Sequence, residues 1–309
     1  MCGIVGLFLK DKSLEPALGR MLTSMLVTMT DRGADSAGIA IYSDDAPGHA
    51  KLTVQSGAPE AEFPGLDGEL ADGLGADVSL TVRDTHAVVR VDREQAAAAR
   101  EALAQLRPNL RVMSVGEAIE IYKEVGVPES VANRFDLEQM SGSHGIGHTR
   151  MATESAVTTM GAHPFSTGPD QCLVHNGSLS NHNSLRRRLR RGGVHIETEN
   201  DSEVAAAYLS HRMQHGSTLG EALEDSLQDL DGFFTFVVGT GDGFGVLRDP
   251  IACKPAVMAE TDQYVAFGSE YRALVDLPDI EQARVWEPEP ATVYFWRHDP
   301  APNAGNRVS

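Results

Sequence analysis

The sequence is poor in several residue types, and each shortage argues against a class of protein. Its 309 residues include only three cysteines, Cys2, Cys172 and Cys253, which lie far apart and form no C-x-x-C pair. This usage is typical of a reducing compartment and argues against a disulfide framework, a zinc site or an iron–sulfur cluster. We therefore expect a cytoplasmic protein that carries no metal ion and no cofactor of its own.

Positive charge and long apolar runs are scarce as well. Lys and Arg total 26 against 44 Asp and Glu, which gives a formal net charge of −18. Nucleic-acid phosphates require clustered cations, so we expect no nucleic-acid partner. We find neither a secretory leader nor an apolar run long enough to span a bilayer, and we expect no membrane partner. The apolar fraction of 41% is ordinary for a globular protein.

One cationic run interrupts this acidic background, Arg186-Arg187-Arg188-Leu189-Arg190-Arg191. It ends at Gly192-Gly193, a pattern typical of a helix C-terminus, where cations are favourable. A solvent-facing helix surface is the simpler interpretation, because most charge runs are solvated. A docking patch for an acidic partner is the alternative.

Apolar periodicity predicts strands that come in runs, with helices at their edges. Helical spacing of apolar residues extends over 14–29 and again over 203–213. Strand patterns occur at 4–9, 39–42, 143–149, 171–175, 233–238, 245–247, 256–258, 264–267 and 291–296, with a possible helical turn at 273–277. This order favours an α+β protein with stacked antiparallel sheets over a parallel βαβ sheet.

The texture changes between about residues 43 and 143. Residues 57–77 are rich in Gly, Ala, Asp and Glu with little periodicity, which predicts a loop or linker. Strands are predicted at 78–82, 87–91 and 110–115, and helices at 94–106 and 117–125. We interpret 43–143 as a small α/β insertion, with either a regulatory or a purely structural role.

A thiol follows the initiator methionine directly, at Cys2. If Met1 is removed, Cys2 carries both a nucleophile and a free α-amine, and such an amine titrates at about 7.7–8.0. The amine can then serve as the base that activates the thiol. The alternative is an inert cysteine at the start of a buried strand.

Three further polar groups lie at strand ends or turns, where functional residues are commonly mounted. Arg150 can bind a carboxylate through two parallel hydrogen bonds, or form only a surface ion pair. Asn176 and the backbone N–H of Gly177 can direct two donors at one oxyanion, or merely form an Asn-Gly turn. Asp201 can cap the helix that follows it, or accept a substrate ammonium.

Taken in order, the motifs resemble those of the class II glutamine amidotransferases. The matching segments are Cys2-Gly3-Ile4-Val5-Gly6, Arg32-Gly33-Ala34-Asp35-Ser36, Gly147-His148-Thr149-Arg150, His163-Pro164-Phe165, His175-Asn176-Gly177, Asp201-Ser202-Glu203, Arg248-Asp249-Pro250, Lys254-Pro255 and Phe267-Gly268-Ser269-Glu270. The resemblance implies one amidotransferase domain over 1–309, interrupted at about 43–143. It also implies the fold of the N-terminal-nucleophile hydrolases, a four-layer αββα sandwich.

The resemblance also implies a role for each matched site residue. Cys2 is then the nucleophile, and Asn176 with Gly177 forms the oxyanion hole. Arg150 and Asp201 bind the α-carboxylate and the α-ammonium of L-glutamine. The positions that shape the pocket or its covering loop are Arg32, Thr153, His163 and Ser202, whereas His148 is expected to be structural.

The matches extend from Cys2 to Glu270, and we expect no synthase domain in this chain. The chain is most similar to the stand-alone glutaminase components of glutamate-synthase-like systems, of the N-methylglutamate synthase type. That similarity implies that ammonia from glutamine passes to a separate synthase subunit carrying flavin and iron–sulfur centres. Two alternatives stay open: an N-terminal-nucleophile amidase acting on another amide, and a non-catalytic glutamine-sensing regulatory subunit.

Overall fold

The computed structural model describes residues 2–43, 47–152 and 156–298. In chain order its strands and α-helices are β1 (Gly3–Leu9), α1 (Leu18–Thr28), β2 (Ser36–Tyr42), β3 (His49–Gln55), α2 (Pro59–Glu62), α3 (Leu66–Leu74), β4 (Ser79–Arg83), β5 (His86–Asp92), α4 (Ala96–Leu106), β6 (Arg111–Gly116), β7 (Ile119–Val125), α5 (Pro128–Arg134), β8 (His144–Arg150), β9 (Phe165–Gly168), β10 (Gln171–Leu179), α6 (His182–Arg191), α7 (Asp201–Gln214), α8 (Leu219–Asp229), β11 (Gly232–Gly239), β12 (Gly243–Arg248), β13 (Val257–Glu260), β14 (Tyr264–Gly268), β15 (Arg284–Trp286) and β16 (Thr292–Arg297).

These strands form three sheets. The largest has the order β15-β13-β14-β1-β8-β2-β7, the second β16-β12-β11-β10-β9, and the smallest β4-β5-β3-β6. Neighbouring strands pair antiparallel in all three sheets, so the predicted mixture of helices with antiparallel sheets is confirmed. The strand that begins after Cys2 lies in the interior of the largest sheet, between β14 and β8.

Alternation along β1 gives the largest sheet two buried faces. Val5 and Leu7 belong to the core formed with α1. Ile4 and Phe8 belong to a second core that contains residues of the five-stranded sheet, such as Val174. Successive side chains of a strand point to opposite faces, so one short apolar strand contributes to both cores. This central position fixes the backbone on which the predicted nucleophile is mounted.

Two glycines in β8 allow α1 to pack closely on the sheet. A Cβ atom at Gly145 would lie 2.9 Å from Leu22 Cδ2, and one at Gly147 would lie 2.9 Å from Leu26 Cδ1. Both distances are shorter than an ordinary van der Waals contact. Larger residues here would push α1 away from the strand that ends in Arg150.

The other face of the five-stranded sheet is covered by helices. Leu173 of β10 and Phe236 of β11 share a buried core with residues of α6, α7 and α8. Val204 to Leu209 of α7 are all buried in this core, so the helix is enclosed on most sides. The helix that begins at Asp201 is thereby held against the strand that carries Asn176.

The four-stranded sheet has its own core with α3 and α4, and its strands lie within residues 49–116. The chain then returns to the largest sheet as β7, which pairs with β2 so that Ile119 lies opposite Tyr42. The Asp170 side chain accepts the backbone N–H groups of Ala118 and Ile119 at 2.8 and 3.0 Å. The separate core supports an insertion here, while its boundaries stay a prediction.

Two local predictions are wrong. Residues 117–125 form no helix, because Ile119–Val125 is the edge strand β7. Residues 57–77 are not a loop, because they contain α2 and α3. Leu66 and Leu70 lie one helical turn apart and are fully buried in the small core, and this burial stabilises α3 despite its glycines.

The arginine run forms the end of α6, as predicted. Arg186 is buried, and its Nη1 lies 2.7 Å from Glu199 Oε2. The other four arginines of the run are exposed, which agrees with a solvated surface: Arg187, Arg188, Arg190 and Arg191. The docking patch stays a prediction. Across the ranges given above, none of the helices combines the length and apolarity that crossing a membrane requires.

Candidate active site

The structure brings Cys2 together with two of the residues predicted to act beside it. The carbonyl oxygen of Cys2 accepts a hydrogen bond from Arg32 Nε at 2.9 Å and another from Asn176 Nδ2 at 3.2 Å. Cys2 is half-buried, and Arg32 and Asn176 are buried. The predicted nucleophile and oxyanion donor therefore lie within one hydrogen bond of each other, although they are far apart in sequence.

The backbone after Cys2 is fixed on its other side by Ser269. Ile4 N donates to Ser269 Oγ at 2.9 Å, and Ser269 N donates to Ile4 O at the same distance. Between them, Gly3 is tightly enclosed, since a Cβ atom there would lie 2.8 Å from Thr149 Oγ1. The start of β1 is therefore held by hydrogen bonds and by close packing.

Arg32 connects Cys2 to an acidic residue. Its Nη1 lies 2.6 Å from Glu270 Oε1, and Glu270 Oε2 lies 2.7 Å from Arg272 Nε. The hydrogen bond from Arg32 is the main reason that the pKa of Glu270 lies below its usual value. In the sequence, Ser269 and Glu270 belong to a matching motif that carries no predicted role. The sequence signal that could have indicated a role near Cys2 is their position directly after β14, the strand that pairs with β1.

Asn176 and Gly177 lie in β10. Successive side chains of this strand point to opposite faces, so Asn176 and His175 have different surroundings. Val174 faces the core between the two large sheets, and Asn176 points the same way towards Cys2. Gly177 approaches β11 closely, because a Cβ atom there would lie 2.0 Å from Phe233 O. Only glycine fits at this position of the predicted oxyanion hole.

Arg150 ends β8 and is buried. Its Nη1 donates to the carbonyl of Ala156 at 3.3 Å, and a Cβ atom on Gly161 would lie 3.3 Å from the same nitrogen. Ala156 and Gly161 therefore lie beside the guanidinium. Thr153, predicted to shape the pocket, lies outside the described residues.

Asp201 does not cap α7. Asn200 does so, accepting the N–H of Ser202 at 2.9 Å from an extended backbone conformation, while Asp201 is the first helical residue. Asp201 Oδ2 instead accepts the N–H of Leu179 at 2.9 Å, and Oδ1 lies 3.8 Å from His175 Nδ1. The carboxylate is thus held against the end of the strand that carries Asn176.

Ser202 lies between two buried histidines. Its Oγ is 2.8 Å from His163 Nε2 and 2.9 Å from His175 Nδ1. The same oxygen lies 3.4 Å from Asp201 Oδ1, and because a hydroxyl has one proton it donates to only one of these three neighbours. Burial lowers the pKa of both histidines, and we expect neutral rings near pH 7. His163 and Ser202, predicted together as pocket-shaping residues, are in direct contact.

His148 packs within the same group. It stacks on His163 with ring centroids 4.0 Å apart, and its Nε2 donates to the carbonyl of His175 at 3.1 Å. Burial lowers its pKa to about 3, so the ring stays neutral. These contacts are those of a packing residue, which agrees with the structural role expected for it.

A cleft of about 870 Å³ lies between α4 and β6 on one side and α7 and β9 on the other. Cys2, Arg150 and Asn176, all in the described part of the chain, do not line it. Its wall includes the buried Lys123, whose pKa is lowered to about 8 by burial. Lys123 Nζ donates to the carbonyls of Ala162 and Pro164, on either side of His163, so the cleft adjoins the histidine group.

Comparison with known proteins shows the family of this chain. The chain is 66% identical to the glutamine amidotransferase-like protein GlxB of Rhizobium meliloti (strain 1021), over 97% of this chain and 100% of that protein. The chain belongs to the class II glutamine amidotransferases. A putative glutamine amidotransferase of Methanothermobacter thermautotrophicus is 34% identical over 95% of this chain and 99% of its own length. The family model of the glutamine amidotransferase domain matches residues 148–276.

A solved structure extends the likeness to the fold. The glutamine phosphoribosylpyrophosphate amidotransferase from B. subtilis superimposes with a TM-score of 0.60 at 18% identity, over 96% of this amidotransferase. This amidotransferase spans only 47% of that chain, so the likeness concerns a part of the larger enzyme. The fold is therefore a mixed α and β fold of the N-terminal-nucleophile type.

Proposed function

We propose that this amidotransferase is a glutaminase subunit that hydrolyses L-glutamine to glutamate and ammonia and passes the ammonia to a separate synthase subunit. The observation that carries the proposal is the Cys2 carbonyl shared by Arg32 and Asn176. It supports a site in which the Cys2 thiol and the Asn176 side-chain amide act on the same amide group of the substrate. The family membership supports glutamine as the source of that group.

The chemistry follows from the proposed roles. Once Met1 is removed, the α-amine of Cys2 takes the thiol proton and the thiolate attacks the side-chain amide carbon of glutamine. Asn176 Nδ2 and the Gly177 N–H stabilise the resulting oxyanion. The protonated amine then gives its proton to the departing nitrogen, releasing ammonia and leaving a γ-glutamyl thioester. Water hydrolyses the thioester to glutamate and regenerates the thiol.

We assign recognition of the amino-acid head group to Arg150 and Asp201. The buried Arg150 can pair with the α-carboxylate through parallel hydrogen bonds. Asp201, at the beginning of α7, can accept the α-ammonium. We assign Arg32, Thr153, His163 and Ser202 to positioning and enclosing the substrate, with Thr153 resting on the resemblance alone. Asparagine is one methylene shorter, so its amide would not reach the thiolate while both charges are bound.

The wider assignments are proposals too. We assign residues 1–309 to one amidotransferase domain with an α/β insertion at about 43–143, in a four-layer αββα arrangement. The successive cores of α1, the two large sheets and α6–α8 support that layering. We place the chain in the cytoplasm because of its cysteine usage. The partner is proposed to be a glutamate-synthase-like or N-methylglutamate-synthase-like subunit that holds flavin and iron–sulfur centres.

The decisive experiment measures the mature amino terminus and the reactive thiol together. Intact mass will show loss of Met1, and the glutamine mimic 6-diazo-5-oxo-L-norleucine, followed by peptide mapping, will show one label on Cys2. We expect Cys2→Ser to abolish labelling and to lower glutamine hydrolysis by at least about 100-fold. Cys253→Ser, which removes the exposed cysteine, is the matched control and should behave as wild type. Retained Met1, or a label on Cys172 or Cys253, would refute the assignment.

The same preparation separates the two alternatives. An amidase for another amide would hydrolyse N-acylated glutamine at least as fast as glutamine, although that substrate lacks the ammonium assigned to Asp201. A glutamine sensor would bind glutamine without releasing ammonia. The partner proposal predicts that a synthase subunit co-purifies from cells. Glutamine-dependent synthase activity from this chain alone would contradict that proposal.

A further inference from the structure

We propose that Glu270 is a positioning residue for the nucleophile and acts through Arg32. The inference rests on the proposed function, because it concerns the same reaction. Glu270 Oε1 holds Arg32 Nη1 at 2.6 Å, and Arg32 Nε donates to the Cys2 carbonyl at 2.9 Å. One guanidinium therefore joins the carboxylate to the backbone of the nucleophile.

The contacts of Glu270 fix the direction of that guanidinium. Arg272 Nε forms an ion pair with the second carboxylate oxygen at 2.7 Å, and Arg272 Nη1 lies 3.1 Å from Asp31 Oδ2. Asp31 precedes Arg32 in the chain. Positive and negative groups thus alternate from Asp31 through Arg272 and Glu270 to Arg32, and they hold the Glu270 carboxylate from both sides.

Arg32 requires this partner because its side chain is only 6% exposed. A buried cation without a counter-charge is costly, and it turns towards whatever acceptor it can reach. With Glu270 present, Nη1 of the guanidinium is bound to the carboxylate and Nε remains directed at Cys2. Without Glu270, the arginine keeps its charge but loses the contact that sets its orientation.

The Cys2 carbonyl in turn orients the proposed oxyanion donor. The Asn176 amide has two N–H groups, and one of them is directed at Cys2 O at 3.2 Å. That bond sets the rotation of the amide and thereby the direction of its second N–H, which the proposed mechanism assigns to the oxyanion. A shift of the Cys2 carbonyl displaces the thiol and this donor together. Glu270 therefore acts on the reacting atoms without touching them.

Removing Glu270 leaves the buried Arg32 without its counter-charge and should lower the free energy of unfolding, but the start of β1 has other supports. Ser269 holds Ile4 by two hydrogen bonds that do not involve Glu270, and the ladder from Val5 onward pairs with β14. Glu270 is 34% exposed at its side chain, so its removal leaves no closed cavity. A loss of activity in a folded variant can thus be assigned to positioning.

The test compares Glu270→Ala and Glu270→Gln with wild type in glutamine hydrolysis. We expect Glu270→Ala to lower kcat about 10- to 100-fold with KM changed less than about threefold, because a misplacement of the order of 1 Å costs about that much. Glu270→Gln keeps an acceptor oxygen for Arg32 and should recover part of the loss. Labelling of Cys2 by 6-diazo-5-oxo-L-norleucine should slow in parallel with kcat.

Glu69→Ala is the matched control. Glu69 of α3 binds Arg107, the residue after α4, through both oxygens at 2.7 and 2.8 Å, so its loss removes a similar ion pair outside the two large sheets, and wild-type activity is expected. If wild type is active and a folded Glu270→Ala variant is equally active, the inference is overturned and the proposed function still stands. A rise in KM as large as the fall in kcat would overturn it as well. Wild type that releases no ammonia would refute the proposed function itself.

Discussion

Replacing Asn176 by alanine is the sharpest test of the proposed chemistry. The substitution removes the amide that donates to the Cys2 carbonyl at 3.2 Å and that is proposed to stabilise the oxyanion. One oxyanion donor contributes about 2.7–4 kcal/mol to the transition state, so kcat should fall about 10²- to 10³-fold. KM should change less than about threefold, because Arg150 and Asp201 are untouched.

The structural cost of this substitution is small by comparison. The Cys2 carbonyl keeps its hydrogen bond from Arg32 at 2.9 Å, so no buried acceptor is left without a partner. The bond from Asn176 is longer than the usual value of about 2.9–3.0 Å for such contacts, and its loss should reduce the free energy of unfolding by about 1 kcal/mol. The variant should therefore fold, and its melting temperature will verify this.

The assay is glutamate release at saturating and limiting glutamine, with two further variants for comparison. Asn176→Asp keeps the shape but provides no donor when ionised, so its kcat should be at least as low as that of Asn176→Ala. Asn109→Ala removes an exposed amide between α4 and β6 and should be fully active. A folded Asn176→Ala that retains more than about a tenth of wild-type kcat would refute the proposed oxyanion role.

Three further predictions concern other parts of the molecule. Arg150→Lys should raise the KM for glutamine at least about tenfold, because an ammonium cannot replace the parallel bonds of a guanidinium; an unchanged KM would contradict the clamp. Gly177→Ala should lower the melting temperature, since its Cβ would lie 2.0 Å from a carbonyl oxygen, whereas Gly73→Ala, with open space in α3, should raise it slightly. His144 has its pKa lowered to about 3 by burial, so protons bind the unfolded chain first and stability declines as pH falls below 6.5. In urea titrations at about pH 6.5 and 4.5, His144→Phe should lessen this decline by up to about 1.4 kcal/mol per pH unit, and an unchanged slope would refute the assignment.

The central strand of the largest sheet was predictable because its apolar run is nearly continuous. Ile4, Val5, Leu7 and Phe8 are all apolar, which is typical of a strand buried on both faces, and β1 is such a strand. Strand β7 differs from the predicted helix because its polar residues are not exposed. Lys123 and Glu124 are buried in it, and such residues obscure the period of two.

Helix α3 was not predicted, and the reason is different. Gly65, Gly68 and Gly73 dilute its apolar pattern, and glycine lowers helix propensity. Only the packing of Leu66 and Leu70 against the small sheet makes the helix stable, and that packing is tertiary information. A single-sequence pattern does not contain it.

The site shows the same division between local pattern and three-dimensional arrangement. The motifs around Cys2 and Asn176 could be recognised by their order, and the structure places them one hydrogen bond apart. The contribution of Glu270 could not be predicted, because it depends on Arg32 lying beside a strand end that it meets only in the folded sheet. Asp201 could be weighed as a cap because Asn and Asp are equally favoured N-caps and stand side by side here, and Asn200 takes that place.

The pairing of Tyr42 with Ile119 has a consequence for engineering. The chain leaves the largest sheet at one of these residues and re-enters it at the other, and the two are direct partners on neighbouring strands. Antiparallel neighbours of this kind can be joined by a loop of about two to five residues. Replacing the segment between them by a tight hairpin would preserve the strand order around the nucleophile, at the cost of the core contacts that Val88 and Met113 make with the large sheets.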